Sequence, residues 1–305
     1  MEGILNILKP PGMTSHDVVN FVRRLTGEAK VGHTGTLDPE AAGILPVCLG
    51  KATRVISFLR NDKEYRTEVT FGAKTSTHDS FGEVFSECDA SHLTLEMVEK
   101  ALTNFRGIIT QVPPMTSARH YQGKKLYQLA RKGEIVTRQP KQVTIYQLNI
   151  VRDQDLRTAH PRLLLDVVCT EGTYIRTLCN DLGESLGCGA YMSFLLRTRA
   201  GLFTLSNALT IENLFFLVNN NCLDNVLMPI NEALSHLPVV EPKEGEAVKV
   251  IREGRTLQEN EVKKLPAPLT PGQIVRLTSL NRLVAIARVE VKVESYRFRP
   301  IRVLV

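Results

Sequence analysis

The sequence predicts an α+β protein: a mixed, largely antiparallel sheet flanked by helices, followed by a small C-terminal β-barrel module. Three observations carry this reading. Before about residue 230, apolar stripes at helical spacing alternate irregularly with period-two strands. Beyond about residue 238 the texture changes to short β-rich pieces cut by Gly and Pro. The 305 residues, 43% of them hydrophobic, can also bury a core large enough for two domains. The boundary falls between 238 and 239, giving domains 1–238 and 239–305, with Val239–Glu246 as the linker.

Taken in order, Val18, Phe21, Val22 and Leu25 form a helical stripe after the cap candidates Thr14 and Ser15, ended by Gly27. A glycine-punctuated loop, Gly32–Gly43, follows. Val55, Ile56 and Leu59 mark a second helix after Gly50-Lys51-Ala52. Tyr65, Thr67, Val69 and Phe71 then alternate with Arg66, Glu68 and Thr70, so Tyr65 heads an inward strand face. Val98, Leu102 and Phe105 predict a third helix halted at Gly107, before the turn-prone Gln111-Val112-Pro113-Pro114. Leu163, Leu165 and Val167 predict a strand running toward Gly172. Ile175, Leu178 and Leu182 predict a helix whose first turn holds Tyr174 and Arg176. In the tail, Ile274–Leu277 and Leu283–Ala287 are strands between Pro/Gly turns.

The loop Gly32–Gly43 holds one aspartate, Asp38, between Leu37 and Pro39. Proline biases the residue before it away from the helix, and the glycines permit tight turns and close backbone approach. Two readings stay open: an acid held on a shaped loop for chemistry, or a cap for a helix entering Glu40-Ala41-Ala42.

Several function classes are excluded or disfavoured. The sequence has no P-loop, no GxGxxG and no GxSxG. His33, His78 and Asp79 lack the further spaced partners that a catalytic metal needs. The six cysteines show no CxxC pairing, no apolar run approaches the ~18 residues of a membrane span, and Met1-Glu2-Gly3-Ile4 does not read as a secretory leader. The expectation is a cytoplasmic protein with reduced thiols. The net charge of +6 is concentrated. Between Ala118 and Lys141 lie Arg119, Lys124, Lys125, Arg131, Lys132, Arg138 and Lys141, opposed by Glu134 and interleaved with Tyr121 and Tyr127. A second cluster, Arg282, Arg288, Lys292, Arg297, Arg299 and Arg302 against Glu290 and Glu294, closes the chain. Cations that neutralise phosphates, with aromatic rings that can pack on bases, point to a nucleic-acid partner over a merely solvated face.

Several motifs together carry a resemblance. Lys9-Pro10-Pro11-Gly12-Met13-Thr14-Ser15, the Gly32–Gly43 loop, Lys63-Glu64-Tyr65-Arg66, Gln111–Ala118, Gly123–Arg131 and Glu171-Gly172-Thr173-Tyr174-Ile175-Arg176 resemble, in order and spacing, the TruB family of tRNA pseudouridine synthases. The tail is similar, less sharply, to the PUA RNA-binding domain. The resemblance implies a pseudouridine synthase fold and an isomerase acting on uridine 55 of the tRNA T arm, without cofactor or metal. In that picture the target base is flipped out of its loop. Asp38 is the nucleophile, attacking C6 of the uracil or C1′ of the ribose, and Arg176 is its guanidinium partner. Tyr65 stacks on the base and can take the C5 proton, Tyr174 and Leu195 line the pocket, and His33 packs into the space the base vacates. Lys9 and Pro10 support the catalytic loop. Segment 118–141 is an RNA-clamping insertion, with Lys124, Lys125, Arg131 and Lys132 on or beside a short helix ended at Gly133. The expected partner is tRNA, engaged by a monomer without an obligatory protein partner. A guide-RNA-dependent catalytic subunit and a non-enzymatic RNA-binding protein are the competing classes.

Overall fold

Reciprocal hydrogen bonds fix the first helix where the sequence placed it. After strand β1 (Gly3–Lys9), helix α1 (Ser15–Thr26) begins at Thr14, whose hydroxyl accepts from the Asp17 N–H at 3.0 Å while Asp17 accepts from the Thr14 N–H at 2.9 Å. Gly27 ends it in the left-handed region, at φ 67°. In this computed structural model the described residues are 1–304 other than Ala118, Arg131, Ile135, Ala267, Val293 and Glu294; His120 and Tyr127 are described by backbone alone.

Strands β2 (Val31–His33) and β3 (Ala42–Leu49) bracket the loop that carries Asp38. The Asp38 carbonyl accepts from the Ala41 N–H at 3.2 Å, closing a turn that feeds straight into β3. The helix-cap reading of Asp38-Pro39 is therefore wrong: Glu40 lies in the turn and Ala42 already pairs as strand. The stripe at 55–59 is a 3₁₀ helix, Gly50–Phe58, rather than an α-helix. Strand β4 (Lys63–Phe71) has the expected alternation, and its inward face starts with Lys63 and Tyr65.

A hairpin of β5 (Ala73–Thr75) and β6 (Val84–Glu87) precedes α2 (Leu95–Leu102), a 3₁₀ turn at Thr103–Phe105, and β7 (Gly107–Gln111). The basic segment forms a short hairpin, β8 (His120–Tyr121) with β9 (Lys124–Lys125), and the one-turn helix α3 (Leu126–Ala130). Leu126 and Leu129 are buried while Lys124 and Lys132 face outward. Strands β10 (Lys141–Gln154) and β11 (Arg162–Cys169), helix α4 (Ile175–Ser185) and strand β12 (Ala190–Ala200) complete the central frame. Strand β13 (Phe203–Thr204) and helices α5 (Ile211–Asn219) and α6 (Ile230–Ala233) pack beyond it.

The main sheet has nine strands in the order β1-β3-β12-β4-β11-β10-β7, with β2 on β3 and β13 on β12. Its pairs are antiparallel except β12 with β3. At that parallel contact Gly43, at φ +126°, lies against the Arg197 backbone, and a Cβ there would collide with it.

The remaining elements are β14 (Val239–Pro242), α7 (Glu246–Arg252), β15 (Leu257–Gln258), β16 (Val262–Lys264), β17 (Ile274–Ser279), β18 (Arg282–Lys292) and β19 (Ser295–Val303). Their strands form a six-stranded, barrel-like sheet, β15-β19-β18-β17-β14-β16. The proposed linker is not one. Val239–Pro242 pairs with both β16 and β17, Val240 is fully buried in this module's core, and Glu246 opens α7. Residues rich in Pro and Glu looked loop-like; the alternate burial of Val240 and Pro242 explains why they are strand instead. Ile286 and Leu304 of this module share one apolar cluster with Ile4, Ile44 and Leu234. Cys48, Cys169, Cys179 and Cys188 are buried free thiols, and Cys88 is exposed. Among the described residues, no helix is long and apolar enough to cross a membrane.

Candidate active site

Three tethers shape the Asp38 loop. Lys9, fully buried at the end of β1, donates to the carbonyls of Pro10, Met13 and Pro39 at 2.8, 2.7 and 2.8 Å. The Ser15 hydroxyl accepts from the Leu37 N–H at 2.8 Å, and the Gly12 N–H donates to Pro39 at 3.0 Å. One loop is thereby sewn to another at the residues on either side of Asp38. Burial pulls the Lys9 amine down to about 8, with Glu40 and Asp38 opposing the drop.

Asp38 meets Arg176 across 138 residues of sequence. Arg176 donates through NH2 to Oδ1 and through Nε to Oδ2, each at 3.0 Å, a two-point side-on grip. The arginine side chain is only 6% exposed, whereas Asp38 keeps 36% of its side-chain surface exposed. The rest of the guanidinium is satisfied by Thr116, through its hydroxyl at 2.7 Å and its carbonyl at 3.2 Å, by the Thr77 carbonyl, and by Asp79 at 3.3 Å. Desolvation pushes the Asp38 carboxyl above the usual aspartate value; Arg176 opposes the rise and Asp79 adds to it.

Tyr65 and Leu195 are each 8% exposed and belong to one apolar cluster with Leu37, Ala41 and Ile175. The loop is thus packed against β4, β12 and the start of α4. The Asp38 charge reaches Tyr65, whose phenol is pushed up by burial and drawn down by Arg197. Tyr174, expected in the first turn of α4, stands instead at its N-cap in extended conformation, one position before the first helical residue Ile175. Gln111 fixes it: the Gln111 amide accepts from the Tyr174 N–H at 3.0 Å and donates to its carbonyl at 3.2 Å. His33 is turned to its own loop, its Nδ1 accepting from the Gly35 N–H at 3.2 Å, and burial, then Arg197, lower its pKa. Of the basic residues, Lys124 and Lys132 are exposed and Lys125 is half-buried; Arg131 lies outside the described residues. Arg138 ties this segment back to the Pro113 carbonyl at 3.1 Å.

Three participants had no role in the sequence reading. Asp79 was weighed only as a metal ligand; it is instead occupied by Arg176, Thr77 and the Phe81 N–H. Lys63, on the Tyr65 face of β4, is 4% exposed and pulled down to about 8 by burial and by Arg197. Arg197 is 1% exposed and lies opposite Tyr65 in the β12–β4 register. A signal existed for the last two: each is a cation on the inward face of an alternating strand, two residues from Tyr65 or from Leu195.

Residues 23–175 match the N-terminal domain model of the TruB family pseudouridylate synthases, and residues 176–235 match the tRNA pseudouridylate synthase B C-terminal domain. The chain belongs to the TruB family. It is therefore an isomerase, a pseudouridine synthase. A protein named tRNA pseudouridine synthase B from Pelotomaculum thermopropionicum is 48% identical, with 100% of this chain and 97% of that one covered. One of the same name from Moorella thermoacetica is 44% identical over 99% of both chains. Among solved structures, a Cbf5-Nop10-Gar1 complex contains a chain 28% identical, with TM-score 0.76 over 99% of this chain and 85% of that one. An H/ACA RNP bound to a substrate RNA containing 2'-deoxyuridine gives 26% identity and TM-score 0.75 over the same shares. The pseudouridine synthase fold is thus shared with these assemblies. The six-stranded module from Val239 onward lies beyond both matched family segments.

Proposed function

We propose that this chain converts uridine 55 in the T arm of tRNA to pseudouridine, with Asp38 as nucleophile. The two-point grip of Arg176 on Asp38 is the observation that carries the reading. A carboxylate entering a dry pocket tends to take up a proton; a bidentate guanidinium favours its ionised form and fixes its aim. The relatives' name, tRNA pseudouridine synthase B, supplies the RNA class.

The chemistry asks little more of the protein. Uridine and pseudouridine are isomers, so the reaction requires a nucleophile, a route for one proton and a dry pocket, and no redox partner. The target base is flipped out of its stack, at a cost of about a few kcal/mol. Tyr65 stacks on it, Tyr174 and Leu195 wall the pocket, and His33 fills the space it leaves. Asp38 attacks C1′ of the ribose or C6 of the uracil, the N1–C1′ bond breaks, the base rejoins through C5, and the bond to Asp38 breaks to return the free carboxylate. Lys124, Lys125, Arg131 and Lys132 grip the RNA backbone, and the PUA-like tail adds the arginines of β18 and β19. The protein acts as a monomer in the cytoplasm, with domains 1–238 and 239–305.

Tritium release from tRNA transcribed with 5-tritiated uridine tests this. Native protein releases tritium, and Asp38→Asn does not; release by the variant at the native rate overturns the nucleophile assignment. A second reading, the catalytic subunit of a ribonucleoprotein, is favoured by the similarity to the H/ACA RNP chain. Turnover of a bare T-arm transcript by the chain alone decides against it.

A further inference from the structure

Arg197 is an unusual group to find inside a protein. Its side chain is among the largest fully buried ones, at 1% exposure. It donates through Nε to the Ile44 carbonyl at 2.6 Å and through NH2 to the Gly35 carbonyl at 3.1 Å. Neither partner carries charge, and among the described residues no carboxylate forms an ion pair with it. An uncompensated buried guanidinium is strongly disfavoured unless some nearby group can share its charge. The group that faces it is the Tyr65 phenol, its partner across the β12–β4 ladder. Lys63, on the same strand face as Tyr65, adds a second buried cation and no anion.

We propose that Arg197 is a positioning residue that holds the Tyr65 oxygen in place and stabilises it when it is ionised. The inference rests on the reading of Tyr65 given above. In uridine the hydrogen is on C5 and the ribose on N1; in pseudouridine these are exchanged. The Tyr65 O–H gives its proton to N1 once that nitrogen is free of the ribose, leaving a phenolate opposite Arg197. C5 then bonds to C1′, displacing Asp38 where it is held on that carbon. The C5–H bond breaks, its electron pair closes the C5–C6 double bond as the C6=N1 pair returns to N1 or the C6–Asp38 bond breaks, and the proton goes to the phenolate. Tyr65 ends as it began. Arg197 touches no reacting atom; it lowers the cost of the charged interval. Its bond to the Gly35 carbonyl also ties Tyr65 to the loop that carries Asp38.

The test is a double-mutant cycle on single-turnover rate, with tRNA affinity and thermal unfolding measured alongside. Arg197→Met keeps the length of the side chain and removes the charge. We expect Arg197→Met and Tyr65→Phe each to slow turnover by about 100-fold, with tRNA affinity within about threefold of native. The double variant should be no slower than Tyr65→Phe alone, because Arg197 acts through the hydroxyl. A full further 100-fold loss in the Tyr65→Phe background overturns the proposal, as does a native rate in Arg197→Met. A native rate in Tyr65→Phe instead shows that the reading of Tyr65 itself is wrong, and the proposal falls with it. Should Arg197→Met fail to fold, Arg197→Lys takes its place in the cycle. It keeps the charge but not the planar fork, and the same two criteria apply: loss confined to the Tyr65 background supports the proposal, and loss in both backgrounds overturns it.

Discussion

Replacing Lys9 by Met separates the frame of the catalytic loop from its chemistry. The ammonium is fully buried and serves three carbonyls, those of Pro10, Met13 and Pro39. Each carbonyl orphaned by the substitution costs about 1–3 kcal/mol. Against this, the variant no longer buries a charge, a penalty visible in the fall of the amine from 10.5 to about 8 and worth on the order of 3 kcal/mol. The net expectation is a loss of about 2–3 kcal/mol, or roughly 3–5 °C in melting temperature for a chain of this size. The penalty also has a pH signature. The unfolded amine holds its proton up to pH 10.5 and the folded one only to about 8, so the unfolded state binds more protons between those values. Native stability therefore gains a contribution that rises with pH across that window, and Lys9→Met lacks it. Urea unfolding of both proteins at pH 7.5 and pH 9.5 measures the difference. Because Pro39 adjoins Asp38, the single-turnover rate should also drop by about 100-fold while tRNA affinity holds. A variant with native melting temperature and native rate would refute the tether argument.

Other expectations follow from the same geometry. The acid limb of the pH–rate profile should report a group above the ordinary aspartate value of 3.8, since desolvation raises Asp38. Asp79→Asn removes a negative charge that contributes to that rise, so the limb should move to lower pH, and a shift to higher pH would contradict the assignment. Gly43→Ala forces a Cβ into the Arg197 backbone and should lower the urea midpoint by the equivalent of about 3 kcal/mol or more. Neutralising Lys124, Lys125 and Lys132 together with Gln should weaken tRNA binding and flatten the slope of log affinity against log salt by about 2, with the rate at saturating tRNA unchanged. Filter binding between 50 and 200 mM salt (concentrations of about the range over which such slopes are read) measures it, and an unchanged slope would remove these lysines from the interface.

Much of this fold could be read locally. The cap candidate Thr14, the terminating Gly27 and the alternation through β4 depend on residues close in sequence, and each appears as expected, with Asp17 completing the cap that Thr14 begins. The Asp38–Arg176 pair was legible only through motif resemblance, because nothing local joins residues 138 positions apart. What stayed hidden depends on non-local pairing. Asp79 sits in the loop between β5 and β6 and drew notice in the sequence only as a metal candidate without partners; only the packing of that hairpin on β12 aims it at Arg176. Arg197 and Arg199 look equivalent in sequence, yet a register shift between them in the β12–β4 ladder separates their environments. The first is buried without a carboxylate, and the second pairs with Asp62 and Glu64. The segment from Val239 misled for the opposite reason, since its Pro and Glu residues belong to a strand whose partners come later in the chain.

The apolar cluster that joins Ile286 and Leu304 to Ile4 and Ile44 makes the tail module something other than a tethered appendage. Arg288, Arg299 and Arg302, which line one groove of about 340 Å³ on its surface, stand at a set distance and angle from Asp38. On the proposed function, an RNA that reached both places would be gauged for length and bend before any bond is broken. A stem one turn too short or too straight would satisfy one end and miss the other. On the proposed function, a hydrophobic contact that reads no sequence is the frame of a caliper.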